Sequence, residues 1–394
     1  MEKVRLGVIG AGKQGSYYAR RVCQGDVLNG AISAICDLKE HRAQALKEEL
    51  KIDVPLYTDY MQMVEKGACD AVIVTTPHYD HPEIVMQCLK RGIHVICDKP
   101  AGVYTKQVRE MNEFAKTQKA LFSMMFNQRT NCLYRKMKEI IASGGIGDLQ
   151  RVNWIITDWY RTDLYYKSGA WRATWAGEGG GVLINQSPHQ IDLIQWIVGE
   201  MPVSVRGFCQ YGKWHDIEVE DEVTAYFEYA NGATGVFITT TGEAPGTNRL
   251  EISGTKGKLL CEAGKLTWYQ NATDSQENAR TADHGFRAPE LTVTEVETDG
   301  KNEQHVGILS NFVNAVLGKE ELFVQGVDGI NGVELMNAIE LSGWKDGAKI
   351  VLPVDEDEYL RELNIRREKS QVKDTEDIMF DISGSFGSGA KNIK

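Results

Sequence analysis

The chain has 394 residues with 44 Lys and Arg against 55 Asp and Glu, a net charge of −11, and 42% apolar and 25% charged residues. That is the balance of a soluble globular protein of about two domains; with no basic stripe, it excludes nucleic acid and anionic membrane as partners. No apolar run approaches a membrane span, the amino terminus enters a strand almost at once without a signal-peptide core, and the eight cysteines form no Cys-x-x-Cys pair, so a cytoplasmic protein with free thiols is expected.

Taken in order, residues 5–9 form a short apolar strand, and Gly10, Ala11, Gly12, Lys13, Gln14 and Gly15 follow directly, before a helix to Cys23. A lone G-x-G-x-x-G is weak evidence. This one has a strand before it, a helix after it, and a second strand, 31–36, ending in Asp37. Gly10 suits a tight turn, Gly12 lets backbone approach a pyrophosphate, and Gly15 permits close helix packing. The helix N-terminus offers N–H groups to phosphates. Asp37, 22 residues after Gly15, is placed to accept hydrogen bonds from adenosine ribose hydroxyls and to repel a 2′-phosphate. The pattern therefore predicts NAD rather than NADP, with Lys39 and Arg42 tempering the preference. Lys13 and Gln14 join the cofactor candidates.

Strands and helices then alternate: helix 39–50, strand 54–57, helix 59–66, strand 71–75, helix 82–91, strand 94–97, helix 105–118 and strand 120–125. This is a doubly wound sheet, with a domain expected over 1–124. Ligands in such sheets lie at the carboxyl ends of the strands. Thr76, Pro77 and His81 stand at one such end, Lys99 at the next, and Asn127 just past the last strand; all are candidates for lining a cofactor. The Asp98–Lys99 pair, held by Pro100 at a sharp exit, fits either a strand-end salt bridge or a ligand site. His78, Asp80 and His81 resemble a metal cluster, but no further Cys or His pair stands at ligand spacing, so no metal is expected.

Strands dominate after a helix at 132–143: 151–158, 203–211, 222–229, 234–241, 249–253, 258–262 and 265–269, with another at 291–297. They predict one large, mainly antiparallel open sheet in a second α/β domain, 125–370, with helices at 305–317 and 329–343 and a mobile tail, 371–394. Between its first strands lies an insertion rich in Trp, Tyr and Arg. Tyr160, Arg161, Trp171 and Arg172 combine apolar area with donors, which suits a sugar ring and suits a packed interface loop as well. Gly179, Gly180 and Gly181 lead into a helix starting at Pro188. Asn185 precedes His189 by four residues, and Asp192 follows it by three on the same helical face.

These motifs, in this order and spacing, resemble the Gfo/Idh/MocA oxidoreductases over nearly the whole chain except the tail. The resemblance implies an N-terminal Rossmann domain, a C-terminal α/β domain that often forms homodimer or homotetramer contacts, and NAD(P)-dependent chemistry on sugars, polyols and their derivatives. It carries a lysine acting at the reacting hydroxyl onto Lys99 and a catalytic histidine onto His189. Two positions depart from the pattern: Asp98 replaces a glutamate, and Asn185 replaces an aspartate, which removes one candidate base. The expected reaction moves a hydride between a ring hydroxyl of a sugar, cyclitol or glycoside and the nicotinamide. His189, an imidazole titrating near 6.5 when unperturbed, would take the proton and Lys99 would polarise the oxygen, with an exchange of the two roles, or their sharing through a water, as the alternative, and Asn185 and Asp192 would bind substrate. A retained-NAD glycosidase or epimerase, and a non-catalytic sugar or dinucleotide sensor, are the alternatives.

Overall fold

The structure, a computed structural model, describes residues 3–371 and 373; except for Gln371 and Lys373, the tail expected to be mobile lies outside them. The chain forms two compact units. The first comprises residues up to Thr130 together with 303–333, and the second comprises 131–302 and the residues from 334 onward.

In the first unit, β1 (Val4–Ile9), α1 (Lys13–Cys23), β2 (Gly30–Cys36), α2 (Glu40–Leu50), β3 (Leu56–Tyr57), α3 (Tyr60–Glu65), β4 (Ala71–Val74), α4 (His81–Lys90), β5 (His94–Cys97), α5 (Thr105–Lys116) and β6 (Phe122–Met124) alternate. The six strands are parallel in the order β3-β2-β1-β4-β5-β6. All four residues of β4 are buried, as are Val95, Ile96 and Cys97 of β5. Helices cover both faces, so such strands read as continuous apolar runs. The order reverses between β1 and β4, which opens the crevice where doubly wound sheets bind ligands.

The first unit also takes in residues expected in the second, 125–130 and 303–333. Side-chain bonds hold them: Asn29 Nδ2 donates to Asn314 Oδ1 at 2.7 Å, Ser123 Oγ to the Val324 carbonyl at 2.9 Å, and the buried Arg129 pairs with Asp328 at 2.7 Å. The second unit is therefore not the continuous run from 125 that the change of strand and helix pattern predicts.

The second unit contains α6 (Cys132–Ala142), β7 (Leu149–Ile156), α7 (Asp163–Lys167), α8 (Pro188–Val198), β8 (Ser204–Tyr211), β9 (Glu220–Glu228), β10 (Thr234–Thr240), β11 (Asn248–Gly254), β12 (Gly257–Glu262), β13 (Lys265–Asn271), β14 (Leu291–Glu295) and β15 (Ile350–Val351). They form a nine-stranded sheet in the order β14-β13-β12-β11-β7-β10-β9-β8-β15. All neighbours are antiparallel except β7 and β10. Burial alternates along β9, β11 and β12, the period of a sheet with one packed face. Strand β15 and the helix Glu356–Lys369 were not expected.

Gly181, the last of the three glycines, is held by a buried acid, Glu220, paired with Glu340. The Glu220 carboxylate accepts from the N–H groups of Gly181 and Leu183 at 2.8–2.9 Å, and Glu340 Oε2 accepts from the Tyr359 hydroxyl at 2.6 Å. A Cβ on Gly181 would stand 2.0 Å from the Glu220 carbonyl oxygen, so only glycine fits. The two carboxyls also bond each other. Burial pushes Glu220 up to about 7 and Glu340 well above the carboxylate range, and for Glu340 the charge of Glu220 adds to burial. A carboxyl whose folded pKa is raised stabilises the fold fully below its unfolded pKa, 4.5 for Glu220, and loses that contribution as pH rises through about 7. Glu340→Gln keeps a neutral donor against Glu220 at every pH. It is expected to flatten the fall in melting temperature between about pH 5 and about pH 8, measured by differential scanning fluorimetry. An unchanged slope would contradict the pairing.

Candidate active site

The nucleotide site of the first unit is built at the carboxyl ends of β1, β2 and β4. Gly10 turns the chain at φ +98, and the Thr75 hydroxyl donates to its carbonyl at 2.7 Å. A Cβ on Gly15 would lie 2.0 Å from that same carbonyl oxygen and 2.6 Å from Thr75 Oγ1. The strand ends and the first turn of α1 are thus in direct backbone contact. Gly12 differs: nothing lies within 4 Å of where its Cβ would stand. It is the N-cap of α1, with no side-chain cap and no acid in the first turn, so the helix start has open space over a cluster of N–H groups with no anion of its own. The buried Asp37 carboxylate accepts from the N–H of Ala11 and of Lys39, each at 2.8 Å, which fixes it at the end of β2 with lone pairs left for a hydroxyl. These residues fit a dinucleotide. Gly12, with the N–H groups of Lys13 and Gln14, would take the pyrophosphate, and Asp37 would take the adenosine ribose.

Further along the same sheet, Lys99 and Pro100 leave β5 beside Thr76 and Pro77, which leave β4; the Lys99–Pro100 peptide is cis. His81 ties the two exits together. Its Nδ1 meets the Pro100 carbonyl and its Nε2 the Thr76 carbonyl, both at 2.8 Å. Both ring nitrogens face backbone, so the histidine shapes the two exits. Burial holds it below the usual histidine range against those carbonyls and Asp98. Asp98 Oδ1 accepts from the Tyr18 hydroxyl and from the Lys99 N–H, each at 3.1 Å. Burial raises the Asp98 carboxyl, and the Lys99 charge opposes it. Sequence reasoning missed His305. It packs on Tyr17 and Tyr18 at 5.5 and 5.6 Å, and burial, then the Lys99 charge, lower it to about 4, so it stays neutral. Asn127 Nδ2 donates to Gln304, whose backbone is left-handed at φ 53.

In the second unit, three N–H donors converge on the Tyr165 hydroxyl of α7: Arg172 Nη1 at 2.9 Å, Gln186 Nε2 at 3.0 Å and Asn185 Nδ2 at 3.2 Å. The Arg172 guanidinium lies over the Tyr165 and Trp171 rings, 4.6 Å from each centroid, and Arg161 lies 5.2 Å over Tyr165, close enough for cation–π attraction. Arg161 also donates to the carbonyls of Trp159 and Tyr160. The cluster thus gathers Arg161, Trp171, Arg172 and Asn185, and adds Tyr165, Gln186 and the buried Glu178. Tyr160 is 53% exposed and outside it. His189 sits in the first turn of α8, where Pro188 starts the helix. Asp192 is buried and accepts from Gln195 Nε2 at 3.2 Å. Among the described residues, no three His, Cys, Asp or Glu side chains are grouped to hold a metal ion, and no helix is long and apolar enough to cross a membrane.

A six-stranded parallel sheet with a glycine turn at its switch point and an acid ending β2 defines a dinucleotide-binding protein of the Rossmann type. A family model described as an oxidoreductase family with an NAD-binding Rossmann fold matches residues 4–126, and one for the GFO/IDH/MocA C-terminal domain matches residues 134–260. The chain belongs to the GFO/IDH/MocA oxidoreductases, and is an NAD-dependent dehydrogenase. The myo-inositol 2-dehydrogenase of Thermotoga maritima is 27% identical over 333 residues, 83% of this chain and 92% of its own length. The scyllo-inositol 2-dehydrogenase (NAD(+)) of Bacillus subtilis is 26% identical over 283 residues, 66% of this chain and 73% of its own. The fold is shared with the WlbA dehydrogenase of Bordetella pertussis, solved with NADH and UDP-GlcNAcA, at a TM-score of 0.74, 24% identity, and coverage of 90% of this chain and 100% of that one.

The two glycines give opposed expectations. Gly12→Ala meets open space at φ −73, so its melting temperature is expected to stay native while NADH binding, read by nicotinamide fluorescence, weakens at least about tenfold, roughly 1.4 kcal/mol. Gly15→Ala is expected to lower the melting temperature as well. Native NADH affinity in Gly12→Ala would move the dinucleotide elsewhere. Asp37→Ser is expected to narrow the preference for NADH over NADPH by at least about tenfold, measured by paired titrations; an unchanged ratio would remove Asp37 from cofactor selection.

Proposed function

We propose that this chain oxidises a ring hydroxyl of a cyclitol, sugar or glycoside. NAD, when bound, accepts the hydride from the carbinol carbon. The observation that carries the reading is Lys99, an ammonium-bearing side chain at the carboxyl end of β5, along the same sheet edge as the glycine turn. In this reading Lys99 polarises the reacting oxygen and His189 takes its proton. Asn185, Arg161, Trp171 and Arg172 hold the ring, whose faces suit the aromatic and guanidinium planes and whose hydroxyls suit the amides. The inositol dehydrogenases among its relatives support a cyclic polyol as the substrate class.

The test is turnover of NAD with a panel of inositols, aldoses and methyl glycosides, followed by the near-ultraviolet absorbance of reduced nicotinamide. His189→Asn is expected to lower kcat at least about hundredfold while NADH binding stays native. Lys99→Met is expected to lower kcat to a similar degree. Full turnover in His189→Asn would remove it as the base.

A further inference from the structure

The segment 171–176 carries the Trp171 ring and the Arg172 guanidinium. It lies outside helix and strand, so its backbone polar groups need partners other than a ladder. Side chains of the second unit supply them. The Ala173 N–H donates to Glu178 Oε2, and the Trp175 N–H to Glu218 Oε1 at 2.6 Å. The Ala176 N–H donates to Ser370 Oγ at 3.1 Å, and the Arg172 carbonyl accepts from the Lys373 ammonium at 2.9 Å. Two of these four partners stand past the helix Glu356–Lys369, 194 and 201 positions from the groups they hold.

The root of that stretch is fixed. The helix buries Tyr359 and Leu363. Tyr359 stacks on Trp344 at 5.1 Å, and the Arg366 guanidinium lies 3.9 Å over the same ring. Trp175 packs edge-on against Trp344 at 5.6 Å, and its indole N–H donates to the Glu218 carbonyl at 2.9 Å. Past the helix, Ser370 is extended at φ −64 and ψ 134. Its hydroxyl donates to Glu218 Oε1 while accepting from Ala176, and the Gln371 N–H reaches Glu218 Oε2 at 3.2 Å. Glu218 therefore buckles two strands of chain together: it holds the loop at Trp175 and the stretch past the helix at Ser370 and Gln371.

We propose that Ser370 and Lys373 are positioning residues, and that the stretch past Lys369 is a strap that sets the loop 171–176, and with it Trp171 and Arg172, for the substrate ring. This rests on the ring-binding reading above and deepens it. Lys373 acts on a carbonyl, so an arginine there keeps the donor and a methionine does not. A threonine at 370 likewise keeps the hydroxyl that an alanine removes.

The experiment compares the native chain with Ser370→Ala/Lys373→Met and with the conservative pair Ser370→Thr/Lys373→Arg. NAD is used with two probes, myo-inositol and methyl β-D-glucopyranoside. Amide hydrogen exchange over 171–178, read by mass spectrometry, is measured beside steady-state turnover. The Ala/Met protein is expected to exchange these amides at least about tenfold faster. Its KM for the oxidised probe is expected to rise at least about tenfold, with kcat within about threefold of native and NADH affinity unchanged. The Thr/Arg protein is expected to return exchange and KM to within about threefold of native. Native exchange in the Ala/Met protein overturns the strap. Faster exchange with a native KM overturns its role toward substrate, and so does a KM that stays raised in the Thr/Arg protein when exchange is restored. Failure of the functional reading gives another result: native protein that binds NADH but oxidises neither probe, while exchange over the loop still responds to the Ala/Met change. That outcome would leave the strap as a loop anchor and overturn its positioning of a substrate ring.

Discussion

The first unit depends on a place where backbone touches backbone and no side chain fits. The Gly10 carbonyl lies where a Gly15 Cβ would stand, and Thr75 at the end of β4 bonds that same carbonyl. This contact presses the start of α1 against the switch point of the sheet. It directs the uncapped N–H groups of the helix into the crevice and leaves the space over Gly12 clear. The sheet order sets the rest of the edge: β2 brings Asp37 to one side of the turn, and β4 and β5 bring Thr76 and Lys99 to the other.

In the second unit, buried carboxylates hold loops that apolar packing could not define alone. The stretch from Tyr160 to Ser187 has little regular structure beyond α7, so its backbone N–H groups need partners other than a ladder. Glu220 supplies them for Gly181 and Leu183, and Glu178 for Ala173. A buried acid is costly unless hydrogen-bonded. Each of these is hydrogen-bonded, and that geometry fixes the segment running to His189. The aromatic and guanidinium groups then stack on a frame made of carboxyl-to-backbone hydrogen bonds.

Much of this was legible in the sequence because it is local. The glycine turn, Asp37, the buried run before Lys99 and the period-two strands of the large sheet all declare themselves within a few residues. What escaped depends on distant partners. Residues 303–333 join the first unit through Asn314, Val324 and Asp328, whose partners stand about 200 to 285 positions away. Glu178 drew no notice beside the glycines because its role appears only when Ala173 and Asn185 fold onto it. His305 looked like an ordinary helical residue until Tyr17, Tyr18 and Lys99 surrounded it. The helix Glu356–Lys369 did carry a local signal: an Asp355 cap, three acids in its first turn and three basic residues in its last, which complement the helix dipole.

Everything above converges on a hydride passing from a carbinol carbon to NAD on this chain. The most direct test incubates the protein with NAD and carbon-deuterated inositols and glycosides, and reads the mass of the recovered cofactor. Reduced cofactor carrying deuterium from one class of cyclic polyol is the expected result. Cofactor that is bound yet recovered oxidised and unlabelled with every member of the panel would contradict it.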